Sequence, residues 1–372
     1  IHYSLAEKEL SEFASTFSIP VVETMAGKSS LVWNDPALVG PLGVTGSDPV
    51  NQLVDESDLI IAIGTRLQDF TTGSWTLFGN KKIIAINTAR FDAIKRHGIP
   101  VVADAKAALV ELGGLLTSTD RTSWMARAAE LKTQFINLRS DRSKISSDLP
   151  TYAQVVVATN EAARTEDYVL TAAGGLPGEL NNNWLSKSVA SFDCEYGFSC
   201  MGYEISGTWG AAIAQKNMKK SGRVIGLTGD GSYMMLNSDI YSAVLHKHPL
   251  TLIVCDNGGY AVISRLQTGN GADSFRTMIT ETPGAARVDF VSHARSMGAK
   301  SIKVNSIAEL SEKITENQNS NEVVVIVIET APTIWTEGGA FWEVANPQVS
   351  KKSAVNEARK AVERAKENQR IY

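Results

Sequence analysis

No apolar run in this sequence approaches the ~18 residues a membrane-spanning helix needs. The longest, VVVIVI at 323–328, has the length of a buried strand. No basic block occurs, and 36 Lys and Arg face 40 Asp and Glu, so nucleic acid is excluded as the main partner. The three cysteines, Cys194, Cys200 and Cys255, form no CxxC pair. An odd count without a secretory leader predicts reduced thiols and a cytoplasmic setting. Nor do the five histidines make a metal box. His246 and His248 flank a predicted helix end beside Pro249, where a protonated imidazole complements the helix dipole. Two nucleotide fingerprints also fail. Ala26-Gly27-Lys28-Ser29 looks like the tail of a P-loop, but Val22 stands where its first glycine should be. Gly40, Gly43 and Gly46 lie in a proline-rich loop instead of a strand-to-helix turn. The first residue is Ile1, already inside an amphipathic helical pattern, so a fragment or a processed product is expected.

What is present is a soluble α/β pattern. With 372 residues, 43% hydrophobic and 20% charged, the length suits two domains. Short apolar runs alternate with helical patterns in both halves, so the expected fold class is α/β, with two doubly wound parallel-sheet domains. The expected division is a first domain at 1–118, a linker helix at 119–150, a second domain at 151–345 and a charged helical tail at 346–372. Asp104 and Thr151 read as helix N-caps. The linker helix shows no clear core face. The stretch GTRLQDFTTGSWTLFG at 64–79 puts many polar groups on a loop after a strand, which reads equally as a place where function sits and as a solvated loop anchored by Trp75.

The chain is organised around residues 229–260. RVIGLTG at 223–229 reads as a buried strand, and Gly229-Asp230-Gly231 forces a sharp turn. Ser232 is expected to open a helix of roughly four turns, with TLIVCD at 251–256 as the next strand before Asn257-Gly258-Gly259. Asp230 and Asn257 then sit just past two strand ends, beside helix N–H groups that favour anions. One carboxylate, one amide oxygen and a loop carbonyl form an all-oxygen site short of ligands, which Mg²⁺ completes with phosphate oxygens and water. The expected ligand is a metal–diphosphate above the carboxyl edge of a parallel sheet. A third glycine cluster, Ala173-Gly174-Gly175, ends another strand and converges on the same edge.

Gly229-Asp230-Gly231, 24 intervening residues and Asp256-Asn257 resemble the signature of thiamine diphosphate enzymes, with Asp256 replacing the first Asn of the usual pair. The resemblance implies that Asp230, the Asn257 side chain and the Gly259 carbonyl hold Mg²⁺. Gly174, Gly175, Gly229, Gly231 and Ser232 would lie against the cofactor. It also implies that Met201, in Ser199-Cys200-Met201-Gly202, wedges the cofactor into a V shape, while the Ser199 carbonyl accepts from its amino group. GVTGSDP (43–49), GTRLQDFTTGSWTLF (64–78), AAGGLPGEL (172–180), GDGSYMMLNSDI (229–240) and RLQTG (265–269) are similar to the trihydroxycyclohexane-1,2-dione hydrolases of inositol catabolism.

That family implies a cyclic dione as substrate and 5-deoxyglucuronate as product. Arg265 and Gln267, a few residues after the metal loop, are the substrate-side candidates, with capping or salt bridging of the local helix as the other reading. It further implies a homodimer or homotetramer in which the pyrimidine-binding domain of a partner subunit supplies the glutamate that activates the cofactor. No glutamate of this sequence is nominated for that role. Two alternatives stay open: another thiamine diphosphate lyase or carboligase, similar to acetolactate synthase, and a non-catalytic half-site partner chain.

Overall fold

The structure, a computed structural model, describes residues 1–370. The first domain carries β1 (Val21–Glu23), β2 (Leu38–Pro41), β3 (Leu59–Ile63), β4 (Lys82–Ile86) and β5 (Ile99–Val101). The strands do not form one sheet. β1 pairs in parallel with β2, and β3, β4 and β5 make a separate parallel sheet. β2 lies in the glycine- and proline-rich stretch read from sequence as loop. Its Gly40 has φ 151°, and a Cβ there would meet Val50 at 3.0 Å and Phe135 at 3.2 Å, so the strand owes its place to helices pressed against its backbone.

One of those helices, Thr122–Ser143, is the expected linker. It does have a core face. Ala128, Leu131 and Phe135 are buried with Val39, Val50 and Leu53, a narrow stripe hidden in the sequence by the charged neighbours Arg127, Glu130 and Lys132. Asp104 caps the helix Ala105–Leu115 by accepting from the Lys106 and Ala107 amides at 2.9 and 3.1 Å. Thr151 closes a capping box with Gln154 at the start of Tyr152–Ala162.

The second sheet has the six expected strands: β6 (Tyr168–Thr171), β7 (Phe192–Cys194), β8 (Val224–Gly229), β9 (Leu250–Asp256), β10 (Lys300–Val304) and β11 (Val323–Glu329). All its pairings are parallel, in the order β10-β11-β9-β8-β6-β7. Helices cover both faces, so β9 is buried at every position and its side chains feed two separate cores. The chain runs outward from β6 to β7 and returns across β6 to β8. That reversal opens a crevice at the carboxyl ends of β6 and β8, where parallel sheets receive ligands.

After β8 the expected single helix is two: Asp230–Met235 and Asp239–Leu245. Leu236 breaks them with φ −152° and ψ 79°. Asn237 and Ser238 follow, residues that favour a fresh helix start over a helix interior. Beyond β11 the chain crosses back over the crevice. Gly339 N donates to the Val44 carbonyl at 3.0 Å, Asn51 Nδ2 donates to the Gly339 carbonyl at 2.6 Å, and the buried Arg142 guanidinium pairs with Glu337. This crossing ties both domains to the linker helix. The tail helix is Ser353–Lys366, and the Arg370 side chain that follows reaches the Lys81 carbonyl of the first domain at 2.5 Å.

Candidate active site

Asp230 and Asn257 stand at the carboxyl ends of β8 and β9, and both are buried. Asp230 Oδ2 accepts from the Gly259 amide at 2.7 Å, which binds the two loops together. Asn257 Nδ2 donates to the Tyr152 hydroxyl at 2.7 Å, leaving the amide oxygen free to face elsewhere. Asp230 Oδ1, Asn257 Oδ1 and Ser232 Oγ are all buried without a hydrogen-bond partner among the described residues. Each such orphan costs about 1–3 kcal/mol. All three residues line one cavity of 490 Å³, so the arrangement calls for a ligand that donates or carries positive charge. No group of three or more His, Cys, Asp or Glu side chains suited to a metal occurs among the described residues. A cation here would take one carboxylate, one carboxamide and a backbone carbonyl from the protein and the remaining oxygens from its ligand, a pattern that suits Mg²⁺.

Burial, then the neighbouring Asp256 carboxylate, pushes the Asp230 carboxyl up to about 7. A cation would relieve both penalties. Asp256 is itself engaged, accepting from the Gly258 amide at 3.0 Å and lying 3.6 Å from Arg287. Gly259 has φ 144°, and a Cβ on it would sit 2.4 Å from the Thr277 carbonyl oxygen. Only glycine permits this close return of the loop. Gly231 is equally confined, since a Cβ there would lie 2.7 Å from the Tyr260 ring.

Every cofactor and metal candidate read from the sequence lines this cavity: Gly174, Gly175, Ser199, Met201, Gly229, Asp230, Gly231, Ser232, Asn257 and Gly259. A Cβ on Gly231 would come within 3.6 Å of Met201 Cε, which puts the methionine against the turn between β8 and its helix. Ser199 holds φ 54°. Its loop is fixed by Glu195, whose carboxylate accepts from the Gly197, Phe198 and Cys200 amides at 2.9, 3.0 and 2.8 Å. Of the two substrate-side candidates, Arg265 lines the cavity with its guanidinium over the Trp335 ring at 5.6 Å. Gln267 does not line it. Its carboxamide oxygen accepts from the Phe275 amide at 3.0 Å.

Three groups at the site carried no signal in the sequence. Tyr152, which orients Asn257, follows a helix cap and reads as core. Glu204 is fully buried and accepts from the Ala173 amide at 3.2 Å and the Gly202 amide at 2.9 Å. Burial raises its carboxyl, and it lies beside Ser232 without a hydrogen bond of normal geometry. Glu179, raised by burial as well, accepts from the Thr336 amide at 2.9 Å and hydroxyl at 2.5 Å, holding the chain that crosses the crevice. A carboxylate's backbone partners depend on loops distant in sequence, so neither role is visible before folding.

The family model for the thiamine pyrophosphate enzyme central domain matches residues 1–112, and that for the C-terminal TPP-binding domain matches residues 173–328. The chain belongs to the thiamine pyrophosphate enzyme family. Within it, the chain is 34% identical over 396 residues to 3D-(3,5/4)-trihydroxycyclohexane-1,2-dione hydrolase 1 of Bacillus cereus, covering 96% of this chain and 61% of that protein. It is likewise 34% identical over 403 residues to the hydrolase of that name from Bacillus licheniformis, covering 100% of this chain and 62% of that protein. The Bacillus anthracis hydrolase is 33% identical over 395 residues, with 96% and 61% covered. The chain therefore spans about three-fifths of the length of these relatives. The cavity lies at the mouth of the matched TPP-binding domain, with Val44, Thr45 and Phe70 of the first domain on its wall. No helix among the described residues is long and apolar enough to cross a membrane.

Proposed function

We propose that this chain forms the metal–diphosphate half of a thiamine diphosphate- and Mg²⁺-dependent hydrolase that opens the ring of trihydroxycyclohexane-1,2-dione to 5-deoxyglucuronate in inositol catabolism. The observation that carries it is the trio of unpaired buried oxygens, Asp230 Oδ1, Asn257 Oδ1 and Ser232 Oγ, on the cavity of a chain one-third identical to enzymes named for that reaction. Asp230, the Asn257 amide oxygen and the Gly259 carbonyl hold the cation, and Ser232 lies against the diphosphate. Met201 would pack against the cofactor, and the Ser199 carbonyl would accept from its amino group. Bound there, thiamine diphosphate supplies a carbon nucleophile and electron sink that let the bond between the two carbonyl carbons break.

The protein's own part is to bind, orient and exclude water. Tyr152 fixes the Asn257 amide so that its oxygen faces the cation. The Gly259 amide, donating to Asp230 Oδ2, leaves Oδ1 for the metal. Arg265, backed by the Trp335 ring, supplies positive charge on the substrate side of the cavity. A pyrimidine-binding domain from a partner subunit of a cytoplasmic homo-oligomer completes the site.

Mass spectrometry of the product tests the reading, using the longer enzyme that contains this chain. A product heavier than the dione by one water, with no CO₂ released from pyruvate, supports the hydrolase. CO₂ or acetolactate from pyruvate with the dione untouched assigns the chain to a carboligase.

A further inference from the structure

A second cleft, of 690 Å³, adjoins the cofactor cavity and is walled by the polar loop after β3, by Lys95 and Arg96, and by the turn at 196–199. Phe70, Tyr196, Ser199 and Trp342 line both spaces. Phe70 joins the walls, edge-on to Tyr196 at 4.9 Å and tilted on Trp342 at 4.8 Å between ring centroids. Cofactor binding alone gives no reason for this construction.

The cleft is a built feature, because its backbone is strained. Leu67, Trp75, Arg96 and Ser199 line it with φ of 50°, 69°, 51° and 54°. Left-handed backbone at a non-glycine residue is unfavourable and persists where surrounding structure enforces it, commonly at ligand sites. Four of the thirteen non-glycine residues with positive φ among the described residues gather here, beside an aromatic pair and a polar rim that suit a ligand.

The polar rim indicates which kind. Gln68 Oε1 accepts from Arg66 Nη2 at 3.0 Å, so its carboxamide N–H groups remain as donors. The Asp69 carboxylate, exposed on the rim, makes no hydrogen bond or ion pair among the described residues and remains as an acceptor. Lys95 is engaged with Asp92 at 2.6 Å and with the Arg66 carbonyl at 2.8 Å, and the Arg96 guanidinium lies over the Trp75 ring at 5.4 Å. An open carboxylate beside engaged cations disfavours an anionic ligand such as a dinucleotide. A donor and an acceptor side by side, next to aromatic faces, suit vicinal hydroxyls on a ring whose C–H face stacks on the aromatics.

We propose that this cleft recognises the hydroxylated ring of the substrate, with Gln68 and Asp69 binding its hydroxyls and the Phe70–Trp342 pair packing on its apolar face. The inference rests on the hydrolase reading above. Ser199, placed by that reading at the cofactor's amino group, stands on the shared wall, so a ring held here has its carbonyl end toward the cofactor. Asp69 and Gln68 are thereby specificity-determining residues.

The test titrates trihydroxycyclohexane-1,2-dione into the chain without thiamine diphosphate, following tryptophan fluorescence from Trp75 and Trp342 and ligand-observed NMR saturation transfer. Parent, Asp69→Asn and Gln68→Ala proteins are compared, with ADP as the anionic control. Each substitution is expected to weaken dione binding by about tenfold, the worth of one hydrogen bond, while Mg²⁺-dependent thiamine diphosphate binding stays unchanged. Circular dichroism and the thermal midpoint establish folding, and if Asp69→Asn does not fold then Gln68→Ala carries the test. Absence of saturable dione binding to the parent overturns the inference. So does equal affinity in the folded variants, or binding of ADP with the dione ignored. Ring opening by the longer enzyme is scored separately. Dione bound through Asp69 but never opened would refute the hydrolase and leave the site. Dione opened with the parent KM by Asp69→Asn would refute the site and leave the hydrolase.

Discussion

Every residue of β9 is buried, whereas in the first domain β3 begins with Leu59 at 41% exposure and β5 begins with Ile99 at 58%. The six-stranded sheet is covered on both faces by separate cores. The smaller sheet is covered more thinly, and left-handed backbone crowds its loops at Leu67, Ser74, Trp75, Arg96 and His97. The two regions divide the work. In the larger sheet, the ends of the buried central strands β8 and β9 bring the unpaired oxygens Asp230 Oδ1 and Asn257 Oδ1 to one cavity. The thinner domain contributes loops whose shape is imposed from outside, by the linker helix and by the chain crossing from β11.

The largest expected effect would break the comparison if it failed. Leu252→Ala, in fully buried β9, should cost about 2–5 kcal/mol because it leaves a cavity. Leu59→Ala on β3 should cost under about 1 kcal/mol. Urea denaturation of the two variants decides, and equal losses would mean that burial does not distinguish the two sheets.

A second prediction concerns the electrostatic load on the larger sheet. The Asp230 carboxyl is raised from 3.8 to about 7 in the folded chain by burial and by Asp256. Its contribution to stability is therefore fully present below pH ~4 and lost as pH rises through ~7. Asp230→Asn should flatten that slope in the ligand-free chain and stabilise it at pH 8 by on the order of a few kcal/mol. The same substitution should abolish Mg²⁺-dependent thiamine diphosphate binding in a calorimetric titration. Undiminished cofactor affinity would remove Asp230 from the proposed metal site. In the parent protein, cation affinity should rise with pH toward ~7, because the metal must displace the Asp230 proton.

The smallest effect sharpens the comparison by showing where it stops. Thr151 and Asp104 cap one helix in each domain through the same kind of contact. Thr151→Ala and Asp104→Ala should each cost about 1 kcal/mol, measurable as similar shifts of denaturation midpoint. A several-fold difference would show that local capping, too, depends on which sheet lies behind it.

Much of this was legible in advance where the signal is local. The six strands of the second sheet, both N-caps and the position of Asp230 and Asn257 at strand ends follow from short runs of residues and their immediate neighbours. The misreadings share a cause. The helix after β8 breaks at Leu236, where the turn at Gly202 presses in: a Cβ on Gly202 would lie 2.6 Å from Leu236 Cβ. The linker's stripe at Ala128, Leu131 and Phe135 has too few residues to stand out from its charged surroundings, and β2 is a strand only because helices lie against it. Gln267, near Arg265 in sequence, turns outward to the Phe275 amide.

The sequence by itself determined the α/β class, the strand–turn–helix geometry of Gly229-Asp230-Gly231, the spacing to Asn257 and the family, because glycine turns, caps and apolar runs act over a few residues. Tertiary structure alone decided that the first domain's strands split into two sheets, that Tyr152 orients Asn257, that Glu204 joins the Ala173 and Gly202 loops, and that the cleft beside Asp69 shares a wall with the cavity at Asp230. Each of those depends on groups far apart in the chain meeting within hydrogen-bond or van der Waals reach, and such distances are set by packing, which no local pattern encodes.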